Sequence, residues 1–540
     1  VIGGGVTGAG VALDAATRGF SVALVERDDF SCGTSSRSSK MVHGGLRYLQ
    51  NFDLGLVREA LVERQLMVRL APHLVRPLPF LVPAFEGARR DLRIGVGLNM
   101  YDAMSLRNPR ARRRAARETA LEGGEYWSPD RHRTIDGDEV LEMIPALAGR
   151  APSSAYLFYD CQTDDSRLVL TVLGEAERFG AVCVNGAAVV ELIEEAGRAA
   201  GVVCEEQESG ERFAVAAANV VNATGVWADR IRPEELLAEE DVPVIRPSRG
   251  THILLDRERL PMNAAAVLPA GGDRTIFALP WLGQTLVGTT DNDYEGSLEH
   301  PEVSDADVQY LLDAVNGFFE TDFGPGELAG AYAGVRPLIS AADPKKSVDI
   351  SRKAELYETS SGMVTITGGK LTTWRRMAKM VVDRLVEREF REAPCRTHEI
   401  PLGHPVEPAE LPDTPQIGER SRAHLASRYG LFAESILEIC ARDGDLTRPI
   451  VEGMPDLLAE VVVAARHEQA RTVADVLLRR TRLGLLAGRR LVEDRDAVSR
   501  VAKVMGAELG WGRREIRRAA DAWLETVAAE RLVSGEPLRA

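Results

Sequence analysis

Three glycines open the chain at a spacing that suits a phosphate. Val1-Ile2 is a short apolar run, and Gly3-Gly4-Gly5-Val6-Thr7-Gly8 follows it as G-x-G-x-x-G. Gly3, Gly5 and Gly8 let the chain turn tightly and let the backbone approach a pyrophosphate. The Ala- and Leu-rich residues after them predict a helix whose positive end faces the same anion. Thr7 belongs to this turn and is a candidate cofactor residue with the glycines. A strand is predicted over Ser21–Val25, and Glu26 ends it. An acid there, about 20 residues on, accepts hydrogen bonds from ribose hydroxyls. Each part has a plain reading alone: an ordinary turn for the glycines, a solvated strand end for Glu26. Their coincidence in strand–turn–helix order points to a dinucleotide site.

The elements that must position this chemistry follow in order. The loop Arg27–Lys40 is dense in Ser, Gly and Thr. Its hydroxyls, Thr34, Ser35 and Ser39 among them, suit a cofactor's phosphates and ring edges. His43, Gly44 and Gly45 continue it as an apolar, Gly-Gly-containing segment that wraps the cofactor; a flexible surface linker is the alternative. Residues 53–70 predict an amphipathic helix, ended by Pro72 and the run Arg76-Pro77-Leu78-Pro79-Phe80. Asp164 or Asp165 caps a helix over Leu168–Phe179. Strands are predicted at Ala181–Val184, Ala188–Ile193, Gly201–Glu205 and Arg212–Ala216. The apolar run Asn219–Asn222 then enters Ala223-Thr224-Gly225, which resembles the second signature of two-dinucleotide FAD-binding domains. Residues 242–340 read as a β-rich insertion roofing the flavin. The strand Val364–Ile366 runs into Gly368-Gly369-Lys370-Leu371-Thr372 and a helix reaching about Arg388. That helix start can face the flavin's pyrimidine edge and stabilise its reduced anion. Beyond the Pro- and Glu-rich stretch Pro394–Pro415, the patterns are helical, as at Leu457–Glu468 and Thr472–Arg482.

Composition narrows the class. With 540 residues, the chain is too long for one compact core. A formal net charge of −15 excludes a broad nucleic-acid surface. The basic run 107–117 stands out in so acidic a chain; it reads as a solvated helix face or as a patch for anionic lipid headgroups. The six cysteines show no C-x-x-C pair, which argues for reduced thiols, a cytoplasmic setting and no metal site. No apolar run approaches a membrane span. The first residue is Val1 at a strand rather than Met, so an upstream segment is expected.

The longer motifs carry a resemblance. VIGGGVTGAG, GTSSRSSKMVHGGLRYL, REALVER, APHLVRPLPF, DCQTDDSRLVL, VNATGVW, RGTHILL, LVGTTD, YAGVRPL, GGKLTTWR and ADVLLRRTRLG together resemble the FAD-dependent glycerol-3-phosphate dehydrogenase family. One departure is Arg249-Gly250-Thr251-His252, where Gly-Ser-His is expected; Thr251 keeps the hydroxyl. The resemblance implies an α/β fold: a two-dinucleotide (Rossmann-like) FAD-binding domain, an inserted β-rich substrate domain and a C-terminal helical domain. Residues 1–390 would form the oxidoreductase region, with FAD-binding segments at about 1–80, 150–240 and 330–390. The roof would come from about 80–150 and 241–330, the linker from 391–415 and the helical domain from 416–540. It also implies oxidation of sn-glycerol 3-phosphate by FAD, with electrons passed to a quinone at a peripherally contacted membrane, and a homodimer.

That reaction assigns roles. A phosphate dianion favours Arg forks and Lys point charges, which Arg47 and Arg336 supply, with Tyr48 beside Arg47 and Lys370 next to the Gly-Gly turn. His252 is the candidate general base, because an imidazole titrates near working pH. Plain readings stay open: Arg336 as a structural ion-pair partner, Arg47 as a surface charge, His252 as a hydrogen-bonded core histidine, and Lys370 as a charge at the negative end of a neighbouring element. Two other functions stay open as well. One is a flavin oxidase of the amine or 2-hydroxy-acid type using oxygen, since fold does not fix function. The other is a non-catalytic flavin-binding or membrane-docked protein.

Overall fold

Ile2 is bridged in parallel on both sides, to Val25 and to Asn222. That double pairing makes the first residues the centre of a sheet. The computed structural model describes residues 1–45, 53–85, 92–105, 131–231, 244–271, 274–340 and 354–533. The sheet runs Val182–Val184, Ala23–Val25, Ile2, Val221–Asn222, Val364–Gly368, all parallel, and closes with antiparallel Ala354–Glu358. Its strands are short and apolar, as suits a sheet buried on both faces. The helix Val6–Thr17 lies between Asp165–Arg178 and Trp374–Arg388, and Trp374 is fully buried with Leu13, Leu24 and Val381 in the core beneath.

A larger sheet stands beside it. Its order is Asn292–Asp293, Val244–Asp256, Gln284–Gly288, Thr275–Trp281, Ala265–Pro269, Arg76–Phe85, Pro152–Gln162, Met41–Val42. Leu328–Ser340 also pairs with Val244–Asp256, antiparallel along almost its whole length. Among the described residues of this sheet, only the contact between Ala265–Pro269 and Arg76–Phe85 is parallel. The expected β-rich insertion is present. A third, small antiparallel sheet contains Ala187–Glu195, Arg198–Glu206 and Arg212–Ala216.

Two local expectations need correction, and one pair of alternatives is decided. The run Arg76–Phe80 does not merely stop a helix; it begins the ten-residue strand Arg76–Phe85. Prolines argue against a strand because they lack an N–H. Here Pro77, Pro79 and Pro83 all sit at odd positions, so the missing donors fall on one edge. The helix Asp165–Arg178 is capped by Asp164, which accepts from Arg167 N, and not by Asp165, which turns inward. Thr472–Arg482 is not one helix: a turn at Val473–Asp475 passes into an i→i+5 turn at Val476–Arg480, and Arg482 is left-handed at φ 66°. Elsewhere the expected helix 53–70 is Leu54–Leu70, capped by Asp53.

The segment between Arg388 and Glu419 has no helix or strand, yet it is packed. Leu402 is buried in the same core as the cofactor helix, and its N–H donates to Leu70 O at 2.7 Å. All six cysteines are free thiols. No helix among the described residues is long and apolar enough to cross a membrane.

The C-terminal helices enclose an ionic cluster. Arg428 Nη1 lies 2.6 Å from Asp456 and 2.8 Å from Glu460, and His424 Nε2 lies 3.4 and 3.5 Å from the same carboxylates. Burial and Arg428 pull the His424 pKa down, but the two carboxylates outweigh them and hold it above 6.5. A raised folded-state pKa contributes stability that is complete below the unfolded value and lost as pH rises through the folded one. Replacing His424 by Gln is expected to flatten the decline in Tm from about pH 6.5 upward. An equal decline in both proteins, followed by calorimetry across that range, would refute the cluster's role.

Candidate active site

The glycine turn is built to admit an anion. Gly3 has φ 105°, and a Cβ there would meet Ala223 O at 2.8 Å; a Cβ on Gly8 would lie 1.9 Å from Gly3 O. No other residue permits this close approach of strand end, helix start and the Ala223 turn. Gly5 stands at the N-cap, and Val6 N donates to Ser35 Oγ at 2.9 Å, so the loop hydroxyl already engages the first turn of the cofactor helix. Glu26 receives Gly4 N at 2.6 Å and Asp28 N at 3.0 Å. Burial raises its pKa, against those backbone donors.

These residues line one cavity of about 690 Å³, a size usual for ligand pockets. All of the described sequence candidates border it except Gly8 and Gly44. Gly8 supports the turn from behind. Gly44 N donates to Tyr101 Oη at 2.9 Å and to Asp160 Oδ1 at 3.2 Å, which ties the segment to a buried Arg64–Asp160–Tyr101 cluster. His43 N donates to Thr372 Oγ1 at 3.1 Å, joining the early loop to the later Gly-Gly turn. Thr34 Oγ1 donates to Val335 O at 2.6 Å. Thr224 is fixed by Asn222 Oδ1, and Gly225 O accepts from Thr367 Oγ1. Gly368 and Gly369 carry the chain, through Lys370 and the short turn Leu371–Thr373, into the helix Trp374–Arg388. Two helix N-termini thus face one cavity, as an anionic dinucleotide requires. Arg47, Tyr48 and the basic run 107–117 lie outside the described residues.

The roof supplies the opposite wall. His252 pairs across the sheet with Tyr332, and Ser248 pairs with Arg336. Tyr332 and Arg336 are four residues apart on one strand and so share a face. His252 is buried, its ring stacked on Tyr332 with centroids 4.8 Å apart, and its Nε2 lies 2.8 Å from Ser39 Oγ. Its Nδ1 has no hydrogen-bond partner among the described residues. Burial, then Arg336 and Lys40, hold His252 well below 6.5, so it is neutral at physiological pH. Arg336 Nη2 donates to Thr289 Oγ1 at 3.0 Å, and Nη1 approaches Asp291 Oδ1 at 3.3 Å. Gly250 and Gly288 leave room for the two side chains: a Cβ on either would come within 2.2 Å of Arg336 Nη2 or His252 Cδ2.

Several site residues had no role assigned from the sequence. Asp291 orients Arg336, Tyr332 backs His252, and the fully buried Lys40 reaches Asp165 at 2.8 Å and lies 4.7 Å from the Tyr332 ring centroid. Each stands inside a motif quoted above, LVGTTD, YAGVRPL and SSRSSKMVHGG. Nothing local distinguishes a buried Lys40 from a solvated one.

A doubly flanked first strand, two glycine turns at helix starts and a β-roof with a neutral histidine define the class of flavin-type, two-dinucleotide oxidoreductases. Comparison with known proteins agrees. The family described as FAD dependent oxidoreductase matches residues 1–384, and the C-terminal domain of alpha-glycerophosphate oxidase matches residues 395–516. Glycerol-3-phosphate dehydrogenase 2 of Mycobacterium tuberculosis is 37% identical over 99% of this chain and 89% of its own. The aerobic glycerol-3-phosphate dehydrogenase of Bacillus subtilis is 34% identical over 89% of this chain and 86% of its own. The X-ray structure of the glycerol-3-phosphate dehydrogenase from Bacillus halodurans, complexed with FAD, matches with TM-score 0.74 at 26% identity, covering 98% and 94% of the two chains. The chain belongs to the glycerol-3-phosphate dehydrogenase family of FAD-dependent oxidoreductases.

The glycine cradle fits that cofactor. Gly8→Ala is expected to yield folded protein with little flavin, because its Cβ must displace the Gly3 carbonyl. The ratio of visible flavin absorbance to protein absorbance measures this, and a stoichiometrically yellow variant would remove the close-approach argument.

Proposed function

We propose that this chain oxidises sn-glycerol 3-phosphate to dihydroxyacetone phosphate. The observation that carries the proposal is one cavity bounded by the glycine turn on one side and by neutral His252 with cationic Arg336 on the other. Bound FAD supplies the hydride acceptor, the flavin N5. Gly3, Gly5, Ser35, Glu26 and the Gly368–Thr372 turn are the residues that would hold it.

The chain's own residues divide the remaining work. Arg336 binds the substrate phosphate, its guanidinium held in line by Asp291 and Thr289. Lys370, which lines the same cavity, adds a second positive charge near that phosphate. His252 takes the hydroxyl proton. Ser39 Oγ, 2.8 Å from Nε2, stands with the ring on the cavity wall, and the low proton affinity of the ring keeps its lone pair available. The Tyr332 ring fixes the plane of the imidazole. Arg47 and Tyr48 complete the substrate set in this reading, on the strength of the resemblance alone.

We infer further that electrons leave to a quinone and that the protein contacts the membrane peripherally. The family resemblance supports this, and the absence of a spanning helix among the described residues fits surface attachment. Sedimentation with liposomes of anionic lipid is expected to carry the protein down and high salt to release it. Protein that stays in the supernatant at low salt would remove the membrane part of this reading. Sedimentation velocity of the protein alone reads whether the chain is a homodimer.

The reaction itself is tested anaerobically. Addition of sn-glycerol 3-phosphate should bleach the flavin band, while plain glycerol and amino acids leave it. Arg336→Ala should retain flavin and raise KM for the phosphate ester about 30-fold or more, the worth of a charged hydrogen bond of ~2 kcal/mol. A flavin that dithionite reduces and glycerol 3-phosphate does not would overturn the assignment. Bleaching by amino acids instead would favour an amine oxidase.

A further inference from the structure

Three arginines leave the C-terminal domain and end beside the cofactor loop. Arg479, Arg480 and Arg482 sit at and just after the i→i+5 turn, and each is at least nine-tenths buried. Arg482 adopts a left-handed backbone conformation that a non-glycine residue holds at a cost of about 1 kcal/mol. Arg479 and Arg480 bind Asp29, where the loop begins. Arg482 Nη2 donates to Ser36 O at 2.9 Å and to Asp165 Oδ1 at 3.0 Å. Glu530, from the last helix, binds Arg37 of the same loop at 2.7 Å.

The contacts continue to the histidine. Asp165 accepts from Ser38 N at 3.0 Å, from Ser38 Oγ at 2.6 Å and from Lys40 Nζ at 2.8 Å. Ser38 O accepts from Tyr332 Oη at 2.7 Å, and the Tyr332 ring stacks on His252. Ser39, the next residue, holds His252 Nε2. An unbroken series of contacts therefore runs Arg482, Asp165, Ser38, Tyr332, His252.

We infer that Arg482 is a positioning residue: the C-terminal domain sets the orientation of His252 through Asp165, Ser38 and Tyr332. Arg482 touches neither substrate nor cofactor in this scheme. The inference rests on the reading of His252 as proton acceptor. Its chemical logic is that the guanidinium spans two elements: Nη1 donates to Leu478 O of its own turn at 2.7 Å while Nη2 holds Ser36 O and Asp165, a reach that a single ammonium group does not reproduce. Arg336 and Lys40 are the charges that act on His252, and Tyr332 is the titratable group stacked against it. The strand Gln284–Gly288 on its other edge adds none.

The test uses the full-length holoenzyme, with anaerobic flavin reduction by sn-glycerol 3-phosphate followed by stopped flow. Arg482→Lys is expected to keep flavin and KM within about twofold of the parent. Its limiting rate per bound flavin should fall about tenfold, ~1.4 kcal/mol. The acid limb of its pH profile should move up, because a less enclosed imidazole regains proton affinity. Tyr332→Phe deletes only the Ser38 contact and should do the same, and the double variant should be no slower than the slower single one. If Arg482→Lys does not fold, Tyr332→Phe carries the test alone, through its rate and pH profile. An unchanged rate and profile per bound flavin would overturn the inference, as would additive effects, or a loss of activity that only follows loss of flavin. His252→Gln in the same assay tests the underlying reading. If it reduces flavin at the parental rate, the proton-acceptor role falls. If it is slow while Arg482→Lys and Tyr332→Phe match the parent, only the positioning inference falls.

Discussion

Ile2 has strands on both sides, and that pairing governs the rest of the molecule. Its N–H donates to Val221 O, its C=O accepts from Ala223 N, and Gly3 N donates to Val25 O. The backbone is therefore committed through Gly3, yet a helix starts at Val6. The reversal has only Gly3 to Gly5 in which to occur, beside the end of the Ala223 strand. Small residues follow from that geometry, and so does the site: strand ends carrying Glu26, Ala223 and Gly368 converge where the sheet order switches direction.

The second sheet answers this with register. Pairing Val244–Asp256 with Leu328–Ser340 sets His252 opposite Tyr332 and places Arg336 further along the same face. A one-residue slip would turn all three away from the cavity. The loop 29–40 joins the two halves, because Ser35 engages the cofactor helix and Ser39 engages His252. Cofactor geometry and substrate geometry are thus set by one short segment, itself held by charges from elsewhere in the chain.

What could be read beforehand was what is local. The glycine turn, Glu26 and the second Gly-Gly turn announce themselves because backbone constraints act over a few residues. The fold class followed from their order and from the long motifs. Lys40, Tyr332 and Asp291 did not, since burial and distant partners decide their roles: Asp291 meets Arg336 45 positions on, and Lys40 meets Asp165 125 positions on. The proline-bearing strand Arg76–Phe85 was obscured because prolines count against strands until their alternate spacing is matched to a partner. Thr472–Arg482 has a helical pattern, but its arginines are drawn to Asp29 and Asp165, and the helix yields. Asp165 looked like a cap and is instead the carboxylate on which Lys40 and Arg482 meet.

Those arginines also have a place in time. Asp29 and Arg480 are separated by 451 positions. At about 5–20 residues per second, a ribosome needs on the order of 20–90 s to travel that distance. Throughout that interval the nascent nucleotide domain holds Asp29 without the guanidinium groups that neutralise it in the finished protein. Burying an unpaired carboxylate is costly, so the loop does not settle until those arginines are made. The loop around Asp29, made early, is then among the last parts to reach its final arrangement, and the emergence of Arg479 and Arg480 becomes the event that closes the cofactor loop.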